Sequence, residues 1–320
     1  GIPYDSDAGR DIAASITALT TAVAYQTSAE IAANLGAFTH WENNRSSFMR
    51  VLNMHWDAMG NGVANASRVG PMNSGVIWDA AFNSMASAID LAAESGVRNG
   101  QVTVLAPTGT ISFIMDCDTT GIEPELGLVR FKTMVGGGHL PMVNRLVSEA
   151  LRRLGYEPDE VQSISDYVVA HGQVVGSAIR DEHIPVFDCS LPVGEGSRII
   201  SYDAHLLMMA AVQPFLSGAI SKTINMPNSV TPEDIEQVYY KSAKIGLKSV
   251  AIYRDGTKAS QPMNTRKAGN TPQLREELPS SRRAHIHGFS IGGYEGYLTV
   301  GMYPDGRPAE VFLTVSREGT

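Results

Sequence analysis

Apolar residues recur every three or four positions along several stretches of this chain, and this spacing predicts amphipathic helices. In the first stretch, Asp5 or Ser6 can cap a helix that runs to about residue 34, and Gly36 ends it. The apolar repeat of this helix is carried by Ile12, Ile16, Leu19 and Val23.

The same periodicity predicts six further helices, over residues 46–58, 74–95, 141–154, 158–172, 203–215 and 232–246. The third helix of the chain, 74–95, has an apolar face made of Ile77, Ala81, Met85, Ile89 and Ala92. Short β-branched or apolar runs predict strands over 101–106, near Val186, over 197–201 and over 249–253.

Helices separated by short buried strands predict an α/β fold, either a barrel or a layered sheet, because the strands lie too far apart to be hairpin neighbours. A closed parallel barrel needs roughly eight to ten strands, and only about four or five are predicted here. The chain also begins at Gly1 without a leader segment. We therefore expect residues 1–262 to be part of a barrel domain whose N-terminal portion is missing.

The pattern changes after residue 262. Residues 263–284 are polar and aperiodic, which is typical of a linker. In the last part, 285–320, two alternating runs flank Asp305-Gly306, which predicts a β-hairpin. A hairpin alone is marginally stable, so we expect this module to be truncated.

Composition excludes several classes of function. The formal charge is −8 and the pI about 5.5, so no cationic surface for duplex nucleic acid is expected, although free nucleotides remain possible partners. The two cysteines, Cys117 and Cys189, are too few for a disulfide framework or a cysteine metal cluster and fit a reducing cytoplasm. No apolar run approaches the ~20 residues of a membrane helix.

A loop of small residues follows the predicted strand 101–106. In Pro107, Thr108, Gly109, Thr110 and Ile111, backbone N–H groups and threonine hydroxyls can converge on an anion, and Gly109 allows close approach. The alternative is an ordinary Pro-Thr-Gly turn, and the residues alone favour that alternative.

The segment 115–124 places three carboxylates, Asp116, Asp118 and Glu123, beside Cys117 and two threonine hydroxyls. Asp, Cys and Asp without a nearby histidine form a poor tetrahedral set, so a polar loop satisfied by its own backbone is favoured over a metal site. Cys189 follows an apolar run and is interpreted as an inert buried residue.

Two further stretches remain open. His205 opens a helix rich in leucine and methionine, where a packing role is favoured over a ligand role. The polar stretch 217–227 contains Lys222 among Ser, Thr and Asn. It can line a nucleotide cleft or simply connect two helices, and the sequence does not decide between these.

Taken together, four stretches resemble the B12-dependent (class II) ribonucleotide reductases. They are APTGTIS at 106–112, MDCDTTGIEP at 115–124, MAAVQPFLSGAISKTINMP at 209–227 and YRDGTK at 253–258. The opening GIPYDS and the late GGYEGYLTVG are also similar to that family, so the resemblance covers nearly the whole chain.

The resemblance implies the C-terminal part of a ten-stranded α/β barrel, with substrate phosphates on the loop Pro107, Thr108, Gly109, Thr110 and Ile111. It implies a ribonucleotide reductase that uses adenosylcobalamin to form a thiyl radical, with a thioredoxin-like or other dithiol reductant. The full-length enzyme can be a homodimer. The family's NPCGE motif is not found here and neither cysteine matches a redox motif, so no catalytic residue is expected in this chain, which alone should be inactive.

Two alternatives differ from this assignment. The chain can be a noncatalytic module that binds nucleotide or completes a split reductase. It can also belong to the class I reductases, but the wording of MDCDTT and SKTIN argues against that.

Overall fold

The structure is a computed structural model, which describes residues 1–68, 73–133, 139–193, 198–255, 257, 263–264, 278–291 and 294–315. The chain divides into two compact units, Gly1–Ala268 and Gly269–Thr320. The first unit begins with three long helices, α1 (Asp7–Leu35), α2 (Trp41–Asn65) and α3 (Gly75–Ser95). The predicted cap of α1 is confirmed, because the Ser6 side chain accepts a hydrogen bond from the Gly9 amide.

The buried face of α1 is made of small residues rather than of the isoleucines and valine that carry its apolar repeat. Ile16 and Val23 are exposed, whereas the inward side of the helix consists of Ala14, Ala18, Ala22, Tyr25 and Ala29. This face packs with α3, on which Ala81, Met85 and Ala92 are fully buried as predicted. Alanines on both helices allow the two backbones to approach closely.

The helix predicted at 46–58 is longer than expected, since α2 runs from Trp41 to Asn65. Its buried residues Trp41, Leu52 and Met59 complete the first core with Trp78 of α3. The indole of Trp78 donates to a carboxylate oxygen of Asp11 over 2.8 Å, which satisfies its polar group in the core.

The middle of the unit contains an antiparallel sheet and two helices. Strand β1 (Val129–Thr133) pairs with β2 (His139–Val143) and with β5 (Met263–Asn264). The predicted helix 141–154 is therefore wrong at its start, because β2 comes first and α5 spans only Leu146–Arg153. Helix α6 (Pro158–His171) is confirmed, and α5 and α6 bury Leu151, Ile164 and Cys189 in a second core.

The parallel part of the fold lies in the third core. Strand β3 (Thr223–Met226) runs parallel to β4 (Ala251–Arg254), and α7 (Tyr202–Val212) and α8 (Pro232–Lys244) flank it. Helices α7 and α8 agree with the predictions for 203–215 and 232–246, and a 3-10 turn, Gln213–Phe215, extends α7. The strand predicted at 249–253 is confirmed as β4.

Three other predicted strands are wrong or reduced. Residues 101–106 form only one parallel bridge, Leu105 to Ile220. Val186 lies in a 3-10 helix, Asp181–Phe187, whose Pro185 lacks the N–H that a central strand requires. Residues 198–200 belong to no regular element, and residue 197 lies outside the described residues. Helix α4 (Gly109–Ile114) is short and follows the bridge directly.

The second unit forms a three-stranded antiparallel sheet of β6 (Ala284–Ile291), β7 (Tyr294–Met302) and β8 (Pro308–Val315). The predicted hairpin around Asp305-Gly306 is present, with Gly306 at a φ of 85°. The prediction was incomplete, because β6 adds a third strand before it. Of the predicted linker 263–284, residues 265–277 lie outside the described residues, and residues 263–264 form β5.

Candidate functional site

The loop 107–111 begins where the chain leaves a parallel bridge. The Leu105 amide donates to the Ala219 carbonyl over 3.1 Å, and the Ser221 amide donates to the Leu105 carbonyl over 2.8 Å. These two hydrogen bonds fix the direction of the chain just before Pro107. The loop then turns into α4 within two residues.

The loop is accessible and its amides are available. Pro107, Thr110 and Ile111 are exposed, and Thr108 and Gly109 are half-buried. None of the amides of residues 108–111 donates a hydrogen bond to another residue in the described part of the chain. Because an unpaired N–H is a strong donor, these amides can donate hydrogen bonds to an anion from solvent.

Thr108 has an unusual backbone conformation. Its φ is 49°, in the left-handed region that a β-branched residue rarely occupies. The conformation is held by hydrogen bonds from Ser112, whose amide donates to the Thr108 carbonyl over 2.8 Å and whose hydroxyl lies 3.3 Å from the Thr108 hydroxyl. Strain of this kind is maintained only where surrounding structure enforces it, and it is common at binding sites.

Gly121 packs directly under this loop. A Cβ at Gly121 would lie 2.5 Å from the Ala106 carbonyl oxygen and 3.6 Å from the Thr108 hydroxyl, and its φ is 52°. Only glycine fits this contact without displacing the backbone. The start of the loop and the segment that follows α4 are therefore in direct contact.

The carboxylates of segment 115–124 bind side chains that are distant in sequence, which the prediction of a loop satisfied by its own backbone did not include. Arg145 binds Asp116 at 2.9 Å and Asp118 at 3.0 Å, and it also donates to the Asp116 carbonyl. Glu123 binds Lys222 and the Thr223 amide instead. In the described residues, no three His, Cys, Asp or Glu side chains are grouped so that they could hold a metal ion.

Lys222 lies at the centre of a buried polar cluster with Glu123 and His205. Lys222 is 2% exposed, and its ammonium donates to Glu123 Oε2 (3.0 Å), His205 Nδ1 (2.7 Å) and the Thr223 carbonyl (2.8 Å). Three acceptors around one nitrogen match the three N–H groups of a charged ammonium. Burial lowers the pKa of Lys222, and the Glu123 carboxylate opposes that effect.

His205 is fully buried, and its pKa is lowered to about 3 by burial and by the neighbouring Lys222 charge. Its packing role was predicted, but its contact with Lys222 was not. Tyr4 packs beside it with ring centroids 6.2 Å apart and donates to the Ile122 carbonyl over 2.9 Å. Burial, with a smaller effect of Glu123, raises the pKa of Tyr4.

A cavity of about 420 Å³ opens beside the loop. Its lining includes Pro107 and Lys222, together with residues 104–106, 219–221 and 249–251 from the parallel segments. The predicted loop and the polar stretch 217–227 are thus neighbours, although neither pattern alone predicted this. Since residues 223–226 form β3, the interpretation of that stretch as a plain helix connection is wrong.

The cluster was missed by sequence reasoning because its three members lie 17 to 99 positions apart. A single lysine in a stretch that becomes a strand was the available signal. The two cysteines form no disulfide with each other: Cys189 is buried, as predicted, and Cys117 is exposed.

The family of the chain is decided by comparison with known proteins. The family model described as "Ribonucleotide reductase, barrel domain" matches residues 1–253. This chain belongs to the ribonucleotide reductase barrel family. Within the barrel domain, the loop 107–111 and the Lys222 cluster both fall inside the matched residues.

The similarity to curated relatives covers the entire chain. The vitamin B12-dependent ribonucleotide reductase of Rhodopirellula baltica is 45% identical over 339 residues, and that of Streptantibioticus cattleyicolor is 43% identical over 335. The chain spans only 32% and 54% of the lengths of these two proteins. It thus corresponds to a portion of each relative.

Among solved structures, the class Id ribonucleotide reductase alpha subunit of Actinobacillus ureae is similar over 73% of this chain and 38% of that one, with 18% identity and a TM-score of 0.37. In the described residues of this chain, no helix combines the length and apolarity that a membrane crossing requires.

Proposed function

We propose that this chain is the portion of a B12-dependent ribonucleotide reductase that holds the phosphates of the substrate. The residues are Pro107, Thr108, Gly109, Thr110 and Ile111. The observation that carries the proposal is that residues 108–111 present unpaired amides at the surface, within a chain of this family. The strained φ of Thr108 adds support, since it points to a conformation kept for binding.

The whole enzyme would convert ribonucleotides to deoxyribonucleotides, with ribonucleoside diphosphates as the favoured substrates. Adenosylcobalamin supplies the radical chemistry when it is bound, and a thioredoxin-like or other dithiol supplies the reducing equivalents. The cavity of about 420 Å³ beside Pro107 is smaller than a corrinoid with its axial groups, so we do not place the cofactor there.

The contribution of this chain is positioning. Amides of residues 108–111 would hold the phosphates, far from the carbon that reacts. Fixing one end of the substrate reduces the entropy that must be lost to align the ribose, so binding energy at the loop supports the chemical step. At Gly109, a Cβ would meet open space, since no atom beyond its chain neighbours and its own helix backbone lies within 4 Å of that position.

Several expectations belong to the same proposal. Residues 1–262 would be the C-terminal part of the ten-stranded reductase barrel, 263–284 a flexible linker and 285–320 the start of a small β module. The enzyme would work in the cytoplasm, as a homodimer, without nucleic acid or membrane partners. The radical and redox cysteines would lie outside this chain, so the isolated chain would be inactive.

The binding half of the proposal can be tested by NMR with inorganic pyrophosphate as the probe. Backbone amide signals of residues 108–111 should shift and saturate, whereas those of α1 should not. Shifts confined to other regions, or none, would show that the loop does not bind phosphate. Separately, the chain with adenosylcobalamin, a dithiol and ribonucleoside diphosphates should give no deoxynucleotide, and measured turnover would contradict the assignment of catalysis elsewhere.

A further inference from the structure

The segment that contains the loop 107–111 is bonded at both of its ends to the same short stretch, residues 219–223. At its start, Leu105 exchanges backbone hydrogen bonds with Ala219 and Ser221. At its end, the Glu123 carboxylate accepts from the Lys222 ammonium over 3.0 Å and from the Thr223 amide over 2.7 Å. Residues 106–122 therefore form a segment whose two ends are both held by residues 219–223.

The two ends of this segment also contact each other. Gly121, two positions before Glu123, lies against the Ala106 carbonyl and the Thr108 hydroxyl. Ile122 lies between Gly121 and Glu123, and its carbonyl accepts a hydrogen bond from Tyr4. A shift of Glu123 would therefore be passed through residues 121 and 122 to the backbone at the start of the loop.

The backbone bonds at the start of this segment can form with any residue type, whereas the contacts at its end depend on the Glu123 side chain, which pairs with Lys222 and accepts from the Thr223 amide. The Lys222 side chain is 0% exposed and that of Glu123 is 15% exposed. Loss of one member of such a pair leaves the other charge buried without a partner, which is strongly unfavourable. Glu123 lies nearer to solvent and would move outward, taking the end of the segment with it.

Lys222 cannot also bind substrate in this arrangement. Its three N–H groups are used by Glu123, His205 and the Thr223 carbonyl, and a lysine ammonium has no fourth donor. A lysine beside a phosphate loop usually suggests direct contact with phosphate. Here the geometry favours a different role.

We propose that the buried Lys222–Glu123 ion pair is a clasp that positions the loop 107–111, so that Lys222 affects phosphate binding through Glu123 and not by contact. This inference rests on the proposed phosphate-binding function of the loop. Lys222 and Glu123 are positioning residues, and neither touches the substrate.

Hydrogen exchange and pyrophosphate binding test the clasp together, in the 320-residue chain. In K222M, which keeps the approximate length of the side chain without its charge, the hydrogen-bonded amides within residues 106–122, which include those of Ser112, Met115 and Cys117, should exchange about tenfold faster or more, with α1 and α3 unchanged. The dissociation constant for inorganic pyrophosphate should rise about tenfold, which corresponds to about 1.4 kcal/mol.

The matched control is K241M. Lys241 pairs with Asp203 at 2.6 Å on the surface, where both side chains are about 40% exposed. Its removal should leave exchange of residues 106–122 and pyrophosphate affinity within about twofold of the parent, as expected for an exposed pair.

If K222M does not fold, Glu123→Gln decides, because its amide oxygen can still accept from Thr223 while the charge is lost. Faster exchange confined to residues 106–122 supports the clasp. Unchanged exchange in a folded variant, or an equal increase throughout the chain, overturns it. If the parent chain binds no pyrophosphate, the proposed phosphate-binding function is wrong. The amide exchange of K222M or E123Q still tests whether the ion pair positions the loop.

Discussion

The Lys222 ammonium donates a hydrogen bond to Nδ1 of His205 over 2.7 Å in the interior of the first unit. A ring nitrogen can accept only if it carries no hydrogen, so His205 is neutral and its hydrogen is on Nε2. That Nε2 has no hydrogen-bond partner among the described residues. Protonation of the ring would remove the acceptor and place two positive charges side by side.

Acid should therefore destabilise the fold through His205. Its pKa is about 3 in the folded chain and about 6.5 when unfolded, so between these values the unfolded state binds more protons. Stability contributed by the neutral ring is present above pH 6.5 and is lost as the pH falls toward 3. Urea unfolding should show a loss on the order of 1–2 kcal/mol from pH 7 to pH 5.

His205→Gln isolates this effect, because its side-chain oxygen can accept from Lys222 and does not titrate. The pH dependence of stability between 7 and 5 should be clearly shallower than in the parent, although burial also lowers the pKa of His55 and leaves part of the slope. Exposed His171, on α6, provides a control for the substitution itself, and H171Q should leave the stability at pH 7 within about 0.5 kcal/mol of the parent. Equal slopes in the parent and in H205Q would contradict the role of His205.

Adding a methyl group to Gly109 should separate folding from binding. A Cβ there meets no atom within 4 Å, and alanine favours α4, so G109A should be as stable as the parent or up to about 1 kcal/mol more stable. Because the proposed function places phosphate against the loop at Gly109, an added methyl group would crowd it, and pyrophosphate affinity measured by titration should fall about tenfold. Gly100 is the control, because a Cβ there would also meet nothing within 4 Å, and G100A should bind pyrophosphate like the parent.

The strain at Thr108 predicts an unusual tolerance for glycine. Thr108→Gly relieves a left-handed conformation that costs about 1–2 kcal/mol, which offsets the entropy that glycine adds to the unfolded chain. T108G should therefore stay within about 1 kcal/mol of the parent in urea unfolding. Thr110→Gly, in α4 without positive φ, has no strain to relieve and should be the more destabilised of the two. The opposite order would show that Thr108 is unstrained.

Arg145 should control local order without contributing much to global stability. Its side chain is 59% exposed, so the contacts with Asp116 and Asp118 are worth about 0–1 kcal/mol, and R145M should hardly change the unfolding midpoint. Because these contacts tie residues 116–118 to the start of α5, amide exchange there should accelerate. R153M, which removes a contact with Glu149 within α5, should leave that exchange unchanged.

The sequence by itself determined most helices and the family. Periodicity and capping residues act over three or four positions, so the starts of α1, α3, α6 and α8 were predicted within about two residues of their observed positions. The ordered motifs from residue 106 to residue 258 indicated the reductase family, which the comparisons confirm. The Asp-Gly turn between β7 and β8 was likewise a local signal.

Tertiary structure decided what depends on distant partners. Which face of α1 is buried depends on α3, whose alanines admit the alanine side of α1 and leave Ile16 at the surface. Residues 223–226 form a strand because β4 pairs with them, whereas the sequence analysis left the stretch 217–227 as a cleft lining or a helix connection. The Lys222 cluster joins residues that no local pattern relates, since the stability of a buried charge depends on the partners that folding brings within hydrogen-bond distance.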